Sequence, residues 1–195
     1  MSGVASIEPL IERAAHGILP GWAQITDPRL EHSRRVAELL GRWAEQLGLD
    51  LDDQTRWRAT GWLHDALRDA DPASLREILR DDRRELPDPL LHGPSAARLL
   101  QGEGVDDPEI LDAIRYHTTG HPSLGTLGRA LYLADALEPG RTYDPVWTAS
   151  IRAQLPERFD ELFPIVLAQR ISHLIERGQP LRPETVDLWN ASRGE

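Results

Sequence analysis

Residues 125–140 read GTLGRALYLADALEPG, a run whose apolar side chains fall on almost every side of a helix. Such a helix is one that other helices surround. Asp135 sits inside it, in LYLADAL, with apolar neighbours on both sides. An ionised carboxylate placed there costs several kcal/mol unless a cation, a strong hydrogen-bond set or a proton accompanies it. A metal is the simplest companion.

The sequence on either side is helical in pattern too. Residues 29–47 bring Leu30, Val36, Leu39, Leu40, Trp43 and Leu47 to helical spacing. A second helix is expected from about Asp53 to Asp69, and a short one from about Asp71 to Arg80, with Asp71 and Pro72 as cap and first-turn residue. RDDRRELPDP, residues 80–89, reads as an exposed loop without a catalytic role. HGPSAARLL opens another helix, and DDPEILDAIRYH, capped by Asp106 or Asp107, forms the next. YDPVWTASIRAQL, RFDELFPIVLAQRISHLIER and PETVDLWNAS supply three more, with Pro164 expected to kink or divide the middle one. Strand-like alternation bounded by turn residues is hard to find. The expectation is an all-α fold of roughly eight to ten helices, one domain over residues 1–195, with a core at about 29–142 and C-terminal helices at about 144–192 packed on it.

Composition narrows the function. Cysteine is absent, which removes disulfides, thiolate zinc, iron–sulfur clusters and thiol catalysis together. Any metal is then held by His and carboxylates, a donor set that suits iron, manganese, zinc or magnesium. The net charge of -10 repels a nucleic acid polymer. A small anionic substrate stays compatible if metals and arginines reverse the sign locally. No apolar run approaches the ~20 residues of a membrane span and the start is unlike a signal peptide, so a cytoplasmic protein is expected. The sequence leaves oligomeric state open, a homodimer included.

Four histidines fall on inward helical phases. His32 shares a stripe with Val36, Leu39 and Leu40; taken alone, a core or cap histidine fits it. His64 and Asp65 are neighbours in GWLHDALRD, about a hundred degrees apart on a helix, from which both can reach one cation. His92 precedes Gly93 and Pro94 at a helix mouth, where an N-terminal cap role also fits. His117 ends its helix in phase with Ile110 and Ile114, where an interaction with the helix dipole is the plainer role. Together with Asp135, these positions put metal-capable groups inward in a chain without thiols.

The order H, HD, H, H, D resembles the HD-domain superfamily of metal-dependent phosphohydrolases. LHDALRDAD, HGPSAARLL, AIRYHTTGHPSLGTLGRALYLADALEPGR and PLRPETVDLWN further resemble the bacterial YqeK-type family of symmetrical diadenosine tetraphosphate hydrolases. The resemblance covers nearly the whole chain. It implies an HD-type helical bundle and a two-metal, typically iron, site: His32, His64, Asp65 and Asp135 around one ion, and His92, His117 and a bridging Asp65 around the other. Three positions depart from the family pattern. Arg68 stands where Lys is usual and keeps a cation suited to phosphate. His121 stands where Arg is usual, and Trp189 with Asn190 replaces an Arg-Asn-like ending. HTTGH imitates a zinc pair four residues apart, but Gly120 and Pro122 break the helix such a pair needs. His16 and His173 match nothing and read as surface or packing residues.

The expected reaction is hydrolysis by a hydroxide bridging two ions about 4 Å apart that share Asp65. Asp65 and Arg68 are the expected catalytic groups. Arg68, Thr118, Thr119, Arg129 and Arg141 are the expected contacts to the nucleotide polyphosphate. The competing readings are a deoxynucleotide phosphohydrolase or phosphodiesterase with the same centre, a non-catalytic nucleotide-binding regulatory module, and a plain helical interaction protein.

Overall fold

The computed structural model describes residues 8–80 and 82–193. Ten α-helices account for the described residues, with two short 3-10 turns and no strand among them. The helices are α1 (Pro9–Ala15), α2 (Asp27–Gln46), α3 (Leu51–Leu63), α4 (Pro72–Ile78), α5 (His92–Gly102), α6 (Pro108–Tyr116), α7 (Thr126–Leu137), α8 (Pro145–Arg152), α9 (Phe159–Glu176) and α10 (Pro183–Ser192). The all-α expectation and the helix count hold. None of the described helices is long and apolar enough to cross a membrane.

Helix α7 is the axis the sequence announced. Leu127, Ala130, Leu131, Leu133, Ala134 and Leu137 are fully buried along it, and α2, α3, α6, α8 and α9 all pack against it. One hydrophobic cluster runs from Ile11 on α1 to Leu188 on α10.

Local chemistry sets the ends of the helices. Asp50 accepts from the Asp53 N–H at 2.9 Å to start α3, and Asp107, not Asp106, accepts from the Glu109 and Ile110 N–H groups to start α6. Pro164 does not divide α9, which is continuous through it. It lies early in the helix, and the acceptor it leaves unserved belongs to exposed Asp160, where solvent can reach it.

The largest departure concerns α3, which ends at Leu63 rather than running to Asp69. Beyond it, Ala66, Arg68 and Ala70 donate to carbonyls three residues back. The segment before α2 seizes the freed groups: Gln24 N–H donates to Ala66 O at 2.7 Å, Asp69 N–H donates to Gln24 O, and the Thr26 N–H and hydroxyl both donate to Asp69 Oδ2 at 2.9 Å. His64 and Asp65 therefore stand at a helix exit. The stretch at 80–89 carries the two 3-10 turns, Asp82–Glu85 and Asp88–Leu90. Helix α1 was not anticipated; it buries Ile11 and Ala14 against α3.

Two glycines let the site elements approach. A Cβ on Gly61 would lie 2.5 Å from the Ala37 Cα, so α3 crosses α2 backbone to backbone just below His64. A Cβ on Gly93 would lie 2.7 Å from Ile114 O and 3.2 Å from His117 Cε1, so the start of α5 abuts the end of α6.

Candidate metal centre

Those crossings bring all six expected ligands into one buried cluster. His32 comes from α2, His64 and Asp65 from the exit of α3, His92 from the first residue of α5, His117 from the exit of α6 and Asp135 from α7. None is more than 7% exposed.

Asp65 is the hub. Its Oδ1 is 3.1 Å from His92 Nε2 and 3.5 Å from His117 Nε2. Its Oδ2 is 3.7 Å from His64 Nε2 and 3.9 Å from His32 Nε2. Each oxygen thus faces one histidine pair. The donor atoms of His32, His64 and Asp65 lie within 4.8 Å of one another, and so do those of Asp65, His92 and His117. Burial alone would push the Asp65 carboxyl up, but His64, His117 and His92 hold it well below the usual carboxylate range.

The far side of three of the imidazoles is arranged to leave Nε2 a bare acceptor, whereas His92 Nδ1 is buried with no hydrogen-bond partner. His64 Nδ1–H donates to Gly61 O at 2.8 Å, and His117 Nδ1–H donates to Ile114 O at 2.8 Å. These are carbonyls left open where α3 and α6 end. Burial lowers the pKa of His64 to about 4, so the ring is neutral. His32 Nδ1–H instead donates to Glu138 Oε1 at 3.1 Å. Glu138 is itself fixed by Arg35 Nε at 2.5 Å and the Gly140 N–H at 2.5 Å. Burial would raise the Glu138 carboxyl, yet those donors bring it down to about 2. This carboxylate–imidazole pair is the kind of support that orients a histidine for metal binding.

Asp135 turns Oδ1 to His32 Nε2 at 3.2 Å and Oδ2 to Arg170 Nη1 at 3.3 Å. Arg141 donates to the same Oδ1 and, through Nε at 2.7 Å, to the Asp135 carbonyl. Burial opposes its ionisation, and Arg141, His32 and Arg170 outweigh burial to hold it well below the carboxylate range.

A cation fits this cluster on two counts. The Nε2 atoms of His32 and His64 are buried with no hydrogen-bond partner. The Nε2 atoms of His92 and His117 lie 3.0 Å from each other and face one Asp65 oxygen at 3.1 and 3.5 Å, a convergence of acceptors that a shared cation stabilises. The donors are imidazole and carboxylate only, suited to first-row divalent ions. The cluster suits a divalent cation.

The expected substrate contacts divide. Thr118 places its hydroxyl 3.1 Å from His117 Nε2 and lines two clefts, one shared with Arg141, the other with Thr119. Arg68 donates to Pro89 O at 3.2 Å and its charge is felt at His92. Arg129 is not brought to the centre: its Nε donates to Leu124 O at 3.2 Å, its guanidinium covers Phe163, and it lines a different cleft with Leu47 and Phe159. His121 stacks on Tyr116 at 4.3 Å and takes the Ser123 N–H on Nδ1, away from any pairing with His117. Trp189 is half-buried against the core and Asn190 is exposed. His16 is exposed, whereas His173 lies beside Tyr143 in the cleft that holds Arg141.

The sequence reading missed Arg35, Glu138 and Arg170. Only the EPG turn after Asp135 pointed to one of them, since a buried Glu beside a Pro-Gly turn needs partners as much as Asp135 does.

The HD domain model matches residues 29–140. Two relatives named symmetrical bis(5'-nucleosyl)-tetraphosphatase are each 29% identical: one from Halalkalibacterium halodurans, over 85% of this chain and 89% of its own, and one from Bacillus subtilis, over 86% and 90%. A solved HD superfamily hydrolase from Clostridium acetobutylicum, described as involved in NAD metabolism, superposes with a TM-score of 0.77 at 25% identity, covering 94% of this chain and 95% of its own. With the match spanning every one of the six clustered residues, the chain belongs to the HD-domain family of hydrolases.

Proposed function

We propose that the chain is a cytoplasmic phosphohydrolase that cleaves diadenosine tetraphosphate symmetrically into two molecules of ADP. The observation that carries this reading is Asp65, with one oxygen facing each of two histidine pairs. That arrangement supports two ions sharing one carboxylate, as phosphoryl-transfer centres use them. The relatives matched along nearly their whole length are named for the symmetrical reaction.

His32, His64, Asp65 and Asp135 would hold one ion, and Asp65, His92 and His117 the other, with iron as the first choice and manganese, zinc or magnesium also suited. Bound ions supply neutralisation of phosphate charge and a water acidic enough to attack near neutral pH. The chain's own part is positional. Glu138, Gly61 O and Ile114 O keep the Nδ1 protons in place, so three Nε2 lone pairs face inward. Arg141 and Arg170 fix Asp135 and line the adjoining cleft, where they present N–H groups to phosphate oxygens. Thr118, Thr119 and Arg68 supply further donors. Cleavage at the middle of the bridge expels ADP, a stable leaving group that needs no general acid, and none is assigned.

The test loads metal-stripped protein separately with Fe²⁺, Mn²⁺, Zn²⁺ and Mg²⁺ and separates the products of diadenosine tetraphosphate. ADP as sole product supports the reading. ATP with AMP, or no turnover with any ion, overturns it.

A further inference from the structure

Arg56 stands on α3, a little over two turns before His64, among carboxylates of α3 and α6. Its guanidinium forks onto Asp107, the cap of α6, with Nε to Oδ2 at 2.7 Å and Nη2 to Oδ1 at 3.1 Å. Nη2 also donates to Glu109 Oε2 at 3.0 Å, and Nη1 donates to Asp53 Oδ1 at 2.5 Å. Glu109 extends these bonds to a third helix. Its Oε1 accepts the Leu127 N–H at 3.2 Å in the first turn of α7, where the N-cap, Gly125, has no side chain to offer. One guanidinium and one carboxylate thus tie α3, α6 and α7 together at a single level.

The metal centre lies at the same remove along all three helices. Arg56 precedes His64, Glu109 precedes His117 and Leu127 precedes Asp135, by eight residues in each case, or about 12 Å of helix. There the helices meet again: the His64 and His117 rings are 5.0 Å apart, and His32 Nε2 stands 3.9 Å from Asp65 Oδ2 and 3.2 Å from Asp135 Oδ1. Apolar contact between the helices is non-directional and resists sliding only weakly, whereas the bonds at Arg56 and Glu109 are directional and fix the axial level. A slip of about 1 Å between α3 and α6 would carry His117 the same distance past Asp65, several times the ~0.2 Å to which metal–donor distances hold. We infer that Arg56 and Glu109 are positioning residues of the metal centre, holding α6 and α7 at the level on α3 where the ligands converge. The inference rests on the metal-dependent hydrolase reading above.

Two measurements on folded protein test this: Mn²⁺ affinity by chelator competition, and the visible absorption of the Co²⁺ form, which follows ligand geometry. Arg56→Met and Glu109→Ala are expected to weaken Mn²⁺ on the order of tenfold and to alter the Co²⁺ bands. Ile151→Ala, a core truncation on α8, is expected to lower the urea midpoint and keep the Mn²⁺ affinity and Co²⁺ bands of the parent. Glu109→Gln keeps an oxygen for the Leu127 N–H but turns an NH₂ toward Arg56; it is expected to weaken Mn²⁺ by a smaller factor, and it decides the matter should Arg56→Met and Glu109→Ala not fold. Parent-like affinity and bands in the folded Arg56 and Glu109 variants, or an equal loss of affinity in Ile151→Ala, overturn the inference. Failure of the hydrolase reading shows separately, as absence of ADP release from diadenosine tetraphosphate by a parent that binds Mn²⁺.

Discussion

Replacing Glu138 with Gln is expected to loosen metal binding by about ten- to a hundredfold while leaving a folded helical protein. Glu138 is 2% exposed and receives three close donors, His32 Nδ1 at 3.1 Å, Arg35 Nε at 2.5 Å and the Gly140 N–H at 2.5 Å, with Arg35 Nη2 more distant at 3.4 Å. Gln offers one acceptor oxygen where the carboxylate offers two, and its NH₂ is a donor among donors. One of the three bonds is therefore lost, and His32 is the one whose ring can turn away. A hydrogen bond to a charged group contributes roughly 1.5–3 kcal/mol, which is about one to two powers of ten in affinity. Arg35→Ala removes a guanidinium that is 28% exposed; water replaces it, so the expected loss is only about threefold. Chelator competition against a fluorescent indicator reads both affinities, and far-ultraviolet circular dichroism confirms the fold. Metal held by Glu138→Gln as tightly as by the parent would refute the role of this carboxylate, as would a larger loss from Arg35→Ala.

Four further outcomes are expected. Asp65→Ala removes the group that faces both histidine pairs, so elemental analysis should find it without metal and assays without hydrolysis; full activity in metal-free Asp65→Ala protein is the contrary result. Gly93→Ala pushes a methyl against Ile114 O and the His117 ring, and should cost about 1–3 kcal/mol in urea unfolding while lowering bound metal per chain. Asp107→Ala removes the α6 cap and the partner of Arg56, which donates to it from Nε at 2.7 Å and Nη2 at 3.1 Å, costing about 1–2 kcal/mol near neutral pH. Burial would raise the Asp107 carboxyl, but Arg56 and the α6 N–H groups lower it. Its contribution is therefore present above an unfolded Asp value of about 3.9 and fades as pH falls through the lower folded value. The stability gap between parent and variant should narrow in acid, and a gap constant across pH contradicts this. Arg129→Ala should change stability by about 1 kcal/mol through its contact with Phe163, with turnover and metal content unaltered; a large drop in turnover would return Arg129 to the site.

The six clustered residues were legible because each had a local signature: an inward helical phase, a helix end, or, for Asp135, burial on a helix apolar all round. The residues that orient them had none. Arg35 and Glu138 lie 103 positions apart in the sequence, and a pair so distant leaves no periodic trace in either helix. Arg129 and Arg170 show the same limit from opposite sides. Arg129 shares α7 with Asp135, yet six residues of helix leave it about 120° away around the axis; Arg170 comes from α9 and reaches Asp135 directly. The end of α3 was misjudged because helix propensity continues through ALRDA, while the backbone of Gln24, forty residues upstream, takes the Ala66 carbonyl. His173 was set aside for matching no motif, although it lies beside Tyr143 in the cleft next to the centre.

The manner in which the imidazoles are anchored bears on how this centre tolerates sequence drift. His64 and His117 are each tied to the carbonyl three residues back in their own helices, at 2.8 Å in both cases. A main-chain oxygen is present whatever side chain the position carries, so no substitution at residue 61 or 114 deletes the acceptor outright. His32 leans on a side chain, and a single codon change at Glu138 reaches it. Vulnerability is therefore uneven: His64 and His117 are insured by the backbone, whereas His32 depends on one distant carboxylate being kept.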